Sequence, residues 1–261
     1  MSDEPLPSND PWQALRRYTN ARIALGRAGD GLPTAPLLAF QYDHARARDA
    51  VHLPFDAEGV AAAAGAAGLP VLIVHSAAPD RATYLKRPDL GRRLNDDSRV
   101  ALSLHAPPDG EPYDAVLAIA DGLSALAVHR HAAPLVIHIA EALQGLGWRL
   151  APIVVVRQGR VAVADEIGSL LRARQAAILI GERPGLSVAD SLGIYLTYDP
   201  RPGRTDAERN CISNIHAHGQ SYAAATQTLI YLMSEARRLK LSGVALKDER
   251  AERDGPAALP A

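Results

Sequence analysis

From Asp114 onward short apolar runs that end in turns come one after another, the first two each followed by a stretch with helical spacing. "DAVLAIADG" (Asp114 to Gly122) is followed by the helical "HAAPLVIHIAEALQGLG". "APIVVVRQG" is followed by "VADEIGSLLRAR", and "AAILIGERPG" and "LGIYLTYDPRPG" supply two more runs. Apolar runs of this length bounded by turns read as buried strands, and strands that alternate with helices build βαβ units. The expected fold is therefore α/β, with a doubly wound, mostly parallel sheet. Aromatic residues are only 5% of the chain, so its core has to come from Ala, Val, Leu and Ile.

The region before this sheet reads differently. "NDPWQALRRYTNARIAL" is expected to open a helix, with Asp10 as cap and Pro11 in the first helical position. "TAPLLAFQYDHARARDAV" resumes helical spacing, and "YLKRPDLGRRLNDDSRVALSL" reads as a turn followed by a helix. The expected organisation is a flexible arm over 1–10 and a mainly helical region over 11–107. The α/β domain follows over 108–246, and a polar tail over 247–261. A closing helix is expected in "SYAAATQTLIYLMSEARRLKL".

Charge and cysteine content exclude several functions. A formal net charge of −1 argues against a nucleic-acid binder. The apolar stretches are short and broken by Gly and Pro, too short to cross a bilayer. The acidic, proline-rich start lacks the pattern of a signal peptide. A single cysteine cannot form an intramolecular disulfide, which points to a reducing, cytoplasmic-type setting.

Open parallel sheets bind ligands beyond the carboxyl ends of their strands. The loops expected there are Asp121–Ser124, Arg157–Val161, Gly181–Gly185 and the segment leading to Cys211. Within "ERNCISNIHAHG", Cys211 lies five and seven residues before His216 and His218. A cysteine nucleophile would draw on His216 or His218 as base, yet no nucleophile motif surrounds it, and a packed thiol is the favoured reading. Cys211, His216 and His218, even with His129 and His131, lack the paired spacing of a zinc site. No G-x-G-x-x-G follows the first strand, and no phosphate-binding P-loop occurs anywhere.

Five motifs occur in order: "GRAG" at Gly26, "RPDLGRRL" at Arg87, "DGLS" at Asp121, "GERPGL" at Gly181 and "CISNIH" at Cys211. Together they resemble the small (light) subunit of ethanolamine ammonia-lyase, over about Leu15 to Val244. The pair "GERPGL" and "RNCISNIH" is the specific part. The resemblance implies a Rossmann-like domain in an adenosylcobalamin-dependent enzyme, which converts ethanolamine to acetaldehyde and ammonia by a radical mechanism. A large TIM-barrel subunit would bind ethanolamine and carry the radical chemistry, within a hetero-oligomer. The small subunit would complete the coenzyme pocket, with no catalytic residue of its own and no activity alone.

The family's coenzyme contacts fall on Val161, Glu182 and Cys211. No D-x-H-x-x-G is present, so the resemblance implies base-on binding with no protein ligand to cobalt. Some members carry a longer N-terminal extension that directs them into a bacterial microcompartment. With only about ten residues before the first expected helix, that extension is not expected here, and a free cytoplasmic enzyme is expected ahead of an encapsulated one. The alternative is a stand-alone corrinoid- or nucleotide-binding module; an enzyme using Cys211 with His216 is a third reading.

Overall fold

The computed structural model describes residues 10–19, 21–107 and 110–250. The expected arm lies outside the described residues except for Asp10, and the expected tail except for 247–250. Six strands form a single sheet: β1 (Val71–His75), β2 (Val116–Ala120), β3 (Ile153–Arg157), β4 (Gln175–Gly181), β5 (Leu192–Tyr198) and β6 (Arg209–Ile215). Their order is β1-β3-β2-β4-β5-β6. The first four pair in parallel, whereas β5 is antiparallel to both β4 and β6.

The sheet is thus mixed, which corrects the expectation of a mostly parallel one. The cause lies in the connections. Residues 182–191 and 199–208 hold no α-helix, and a return crossover to a parallel strand needs a dozen or more residues, usually helical. A short link can only reverse the chain. β6 was expected as loop, and β1 falls inside the region expected to be mainly helical. β1 pairs with β3 along its whole length, so the N-terminal region and the sheet share one framework.

Alternation along each buried strand separates two cores. One is filled by Leu117, Ile119, Val155 and Leu179 against α2 (Ala57–Ala64), α5 (Ala125–Gly145) and α7 (Tyr222–Leu239). The other packs Val116, Ala118, Val154 and Ile178 against α4 (Asp96–Ser103) and α6 (Val163–Leu170). Residues i and i+2 of a strand share a face, and strands of small branched residues buried on both faces need helices on both sides.

Two further helices complete the chain: α1 (Thr34–His52) and the short α3 (Arg81–Lys86). The first expected helix is a 3-10 turn over Pro11–Tyr18 that stops at Thr19, capped as anticipated by Asp10, whose Oδ1 accepts from Trp12 N at 2.9 Å. It buries no residue, and α1 buries only Ala50 of its nineteen. Trp12, Tyr18, Leu38, Phe40 and Tyr42 are exposed. No described helix is long and apolar enough to cross a membrane.

Candidate coenzyme groove

The carboxyl ends of β2, β3 and β4 surround a recess of about 440 Å³. It is lined by Gly122 and Leu123 after β2, Arg160 and Val161 after β3, and Glu182 and Arg183 after β4, with Tyr84 and Tyr195. Arg160, Val161 and Tyr195 also line a second recess of about 220 Å³, together with Arg92 and Asp206. Parallel strands bring these loops together because all three end at the same edge. The chain crosses from β3 past β2 to β4, which opens the crevice at the switch in strand order.

A buried clasp holds the loops. Asp121 is 1% exposed, and its Oδ1 accepts from Gly122 N at 3.1 Å and from Gly159 N at 2.9 Å. Arg81, from α3, donates through Nη1 to the Gly122 carbonyl at 2.8 Å and lies 3.5 Å from Asp121 Oδ2. Burial pushes the Asp121 carboxyl up to about 6, with Arg81 pulling the other way. The Tyr84 ring is fully buried between the guanidiniums of Arg81 and Arg160, 4.7 and 4.2 Å from its centroid, and its hydroxyl donates to the Gly159 carbonyl at 3.2 Å. Such stacking of cations on an aromatic face adds roughly 1–2 kcal/mol when desolvated. One aromatic residue thereby fixes the loop that carries Val161.

Glu182 and Val161 line the same recess. The Glu182 carboxylate is itself anchored: Oε2 accepts from Ser191 Oγ and, at 3.4 Å, from Asn214 N. A Cβ on Gly193 would stand 2.8 Å from Glu182 Oε1, so the carboxylate has room only because that residue is glycine. Cys211 lies on edge strand β6, exposed, and directly opposite Tyr195 in the β5–β6 register. Paired residues share a face, so the sulfur meets the Tyr195 hydroxyl, but Cys211 does not line this recess and borders a separate one of about 360 Å³ with Asn210, Ser213 and Gln220.

Cys211 is exposed as a residue, yet partial burial pushes its thiol up, with the hydrogen bond from Tyr195 working against that. A thiolate nucleophile needs the opposite shift. His216 is no base for it, because His216 Nε2 faces Asn214 Oδ1 at 2.8 Å and Nδ1 accepts from His218 N at 3.3 Å. Iodoacetamide at pH 7.5 is expected to label Cys211 in the folded chain several-fold more slowly than in the urea-unfolded chain. Faster labelling in the folded state would restore the nucleophile.

No group of three or more His, Cys, Asp or Glu among the described residues is arranged to hold a metal ion. His129 and His131 lie on α5, where the first accepts from Asp56 N and the second meets Tyr222 Oη at 2.7 Å. Tyr84, Arg81 and Arg160 escaped the sequence reading. Arg160 stood next to a motif residue, but nothing local shows that a tyrosine from another helix will seat it.

The chain matches the model of the ethanolamine ammonia-lyase light chain family over residues 9–247. Proteins named ethanolamine ammonia-lyase small subunit are among its relatives. That of Pseudomonas fluorescens Pf-5 is 57% identical over 249 residues, covering 95% of this chain and 91% of its own. That of Ralstonia nicotianae is 60% identical over 241 residues, covering 92% and 89%. That of Azotobacter vinelandii is 57% identical over 262 residues, covering 100% and 97%.

Proposed function

The chain belongs to the ethanolamine ammonia-lyase light chain family, and from that premise we propose that its groove forms one wall of an adenosylcobalamin pocket completed by a large subunit. The chain serves as the small subunit of an ethanolamine ammonia-lyase, an obligate part of a lyase that releases acetaldehyde and ammonia from ethanolamine. Its four parallel strands, with helices on both faces, act as the Rossmann-like, doubly wound half of the sheet. The observation that carries the coenzyme reading is the convergence of Val161 and Glu182 on one recess, with Cys211 beside the Tyr195 that lines it.

The groove suits a corrinoid on two counts. Arg160 Nε is buried without a partner, so the site holds a donor that still wants an acceptor. The recess is also far too small to enclose a corrin ring with its side chains and nucleotide loop, so this chain supplies one wall only. When bound, the coenzyme supplies a carbon-centred radical from its cobalt–carbon bond. This chain's residues bind and orient. The Asp121–Arg81 clasp and the stacked Tyr84 keep the β2 and β3 loops in place, and the anchored Glu182 presents a fixed acceptor. No side chain here is assigned a proton or a bond to move, and cobalt takes no ligand from this chain, in keeping with base-on binding.

The partner reading draws on α1 and the 3-10 turn before it. Trp12, Tyr18, Leu38, Phe40 and Tyr42 are exposed on these two segments, and large apolar side chains left in water in such number suit a face that a partner covers. A hetero-oligomer with a large TIM-barrel subunit, which binds ethanolamine, would cover them, and a stand-alone module would not. We place the enzyme in the cytoplasm.

The deciding experiment is acetaldehyde release from ethanolamine and adenosylcobalamin by the purified chain, with and without its large subunit. Turnover is expected only with both chains and the coenzyme, and Cys211→Ser should retain it. A well-formed complex without turnover would overturn the assignment.

A further inference from the structure

The groove has an electrostatic imbalance that its role as a wall does not explain. Arg160 and Arg183 line the main recess and Arg92 the smaller one. None of the three forms an ion pair among the described residues. The carboxylates in the same groove are engaged: Glu182 by Ser191 and Asn214, and Asp206 by Arg209 at 3.4 Å. Most other arginines of the chain do have a carboxylate, such as Arg99 with Glu166 or Arg204 with Asp199. Arg16, Arg17, Arg27, Arg93 and Arg172 also lack an ion pair among the described residues but line neither recess, so the groove is set apart by three such cations gathered at one place.

Among them Arg160 is the one built in place. Its guanidinium stacks on Tyr84, its Nη2 donates to the Tyr84 carbonyl at 3.2 Å, and its backbone N donates to the Gly91 carbonyl at 2.7 Å. A Cβ on Gly91 would stand 2.7 Å from Arg160 Cγ, so the side chain lies flat on that glycine. Nε remains buried without an acceptor. A guanidinium held this way has lost most of its rotamer freedom before any ligand arrives, and its donor fork suits the paired oxygens of a phosphate.

We propose that Arg160 binds the phosphodiester of the coenzyme's nucleotide loop. This rests on the groove being the coenzyme site. The corrin's amide side chains are neutral and the phosphodiester is the anion of the loop, so it is the group that an unneutralised guanidinium selects.

The test compares two corrinoids on the assembled two-subunit complex by absorbance titration. Hydroxocobalamin carries the nucleotide loop, and cobinamide lacks it. Arg160→Met is expected to weaken hydroxocobalamin binding about tenfold to a hundredfold and to leave cobinamide binding within about twofold. Arg160→Lys, which keeps the charge without the fork, should fall between. Equal weakening of both ligands, or unchanged hydroxocobalamin affinity, would overturn the phosphodiester assignment. Val161→Trp separates this from the site itself. If Val161→Trp blocks both corrinoids while Arg160→Met changes neither, only the assignment to Arg160 fails. If Val161→Trp also binds both normally, the groove is not the coenzyme site. Co-elution of each variant with the large subunit checks that it is folded.

Discussion

Asp165→Ala is expected to destabilise the chain by about 3–5 kcal/mol, the usual effect of leaving a buried charge without its partner. Asp165 on α6 and Arg209 at the start of β6 form a two-pronged ion pair, 2.6 and 2.7 Å long, with both side chains only 2% exposed. Without the carboxylate the guanidinium keeps Thr197 Oγ1 at 3.0 Å, the Arg204 carbonyl at 2.9 Å and, as its one remaining negative partner among the described residues, the exposed Asp206 carboxylate at 3.4 Å. A loss of this size is a large share of the roughly 5–15 kcal/mol that holds an ordinary domain.

The pair also has a place in function. α6 begins two residues after Val161, and β6 carries Cys211, so the pair ties two of the expected coenzyme contacts to one another. Urea unfolding of the isolated chain measures the effect. The double replacement Asp165→Leu with Arg209→Met removes both charges and is expected to recover most of the loss. If Asp165→Ala unfolds at the wild-type urea concentration, the pair does not hold α6 to β6.

A second large effect is expected at Gly181, the last residue of β4. A Cβ there would stand 2.2 Å from the Ser124 carbonyl oxygen and 2.6 Å from that of Asp121, both backbone atoms that cannot swing aside. Gly122, with φ +56°, is equally confined: its Cβ would meet the Gly181 oxygen at 2.3 Å. The close approach is sealed by Leu123 N donating to the Gly181 carbonyl at 2.9 Å. Gly181→Ala therefore has to push the β2 loop away from the end of β4, at a cost of about 1–3 kcal/mol for overpacking.

On the proposed coenzyme reading those loops form the binding wall, and the affinity of the assembled enzyme for adenosylcobalamin should fall by about tenfold or more, in line with 1.4 kcal/mol per factor of ten. Gly145→Ala, at the end of α5 with no atom within 4 Å of its new methyl, is the matched control and should bind normally. Wild-type affinity in Gly181→Ala would show that the coenzyme does not depend on this junction.

Much of the central fold was legible because its signals are local. Runs such as "VLAIA" and "IVVVR" are apolar and bounded by turns, and the helices between them are long enough to declare their period. What escaped was short or depended on partners. "VLIVH" of β1 follows an alanine-rich helix and a proline, and four apolar residues before a histidine do not tell strand from helix by periodicity. β6, "RNCISNI", does not alternate and has polar side chains at Arg209, Asn210, Ser213 and Asn214, so this edge strand is easily taken for loop. The direction of β5 was latent in its short, helix-free link to β4, a constraint on connection length that no strand pattern displays.

The expected coenzyme contacts divide the same way. Val161 and Glu182 follow strands that the sequence marks, and parallel strands must deliver their following loops to one edge. The sequence by itself therefore determined the α/β class, the loops that gather at the strand ends and, through "GERPGL" and "RNCISNIH", the family. Only the tertiary structure decided that Cys211 meets Tyr195 on an edge strand, that Tyr84 seats Arg160, and that Asp121 and Gly181 lock two loops together. Those relations join residues tens of positions apart. They arise from strand order and close packing, and neither is encoded in any short stretch of chain.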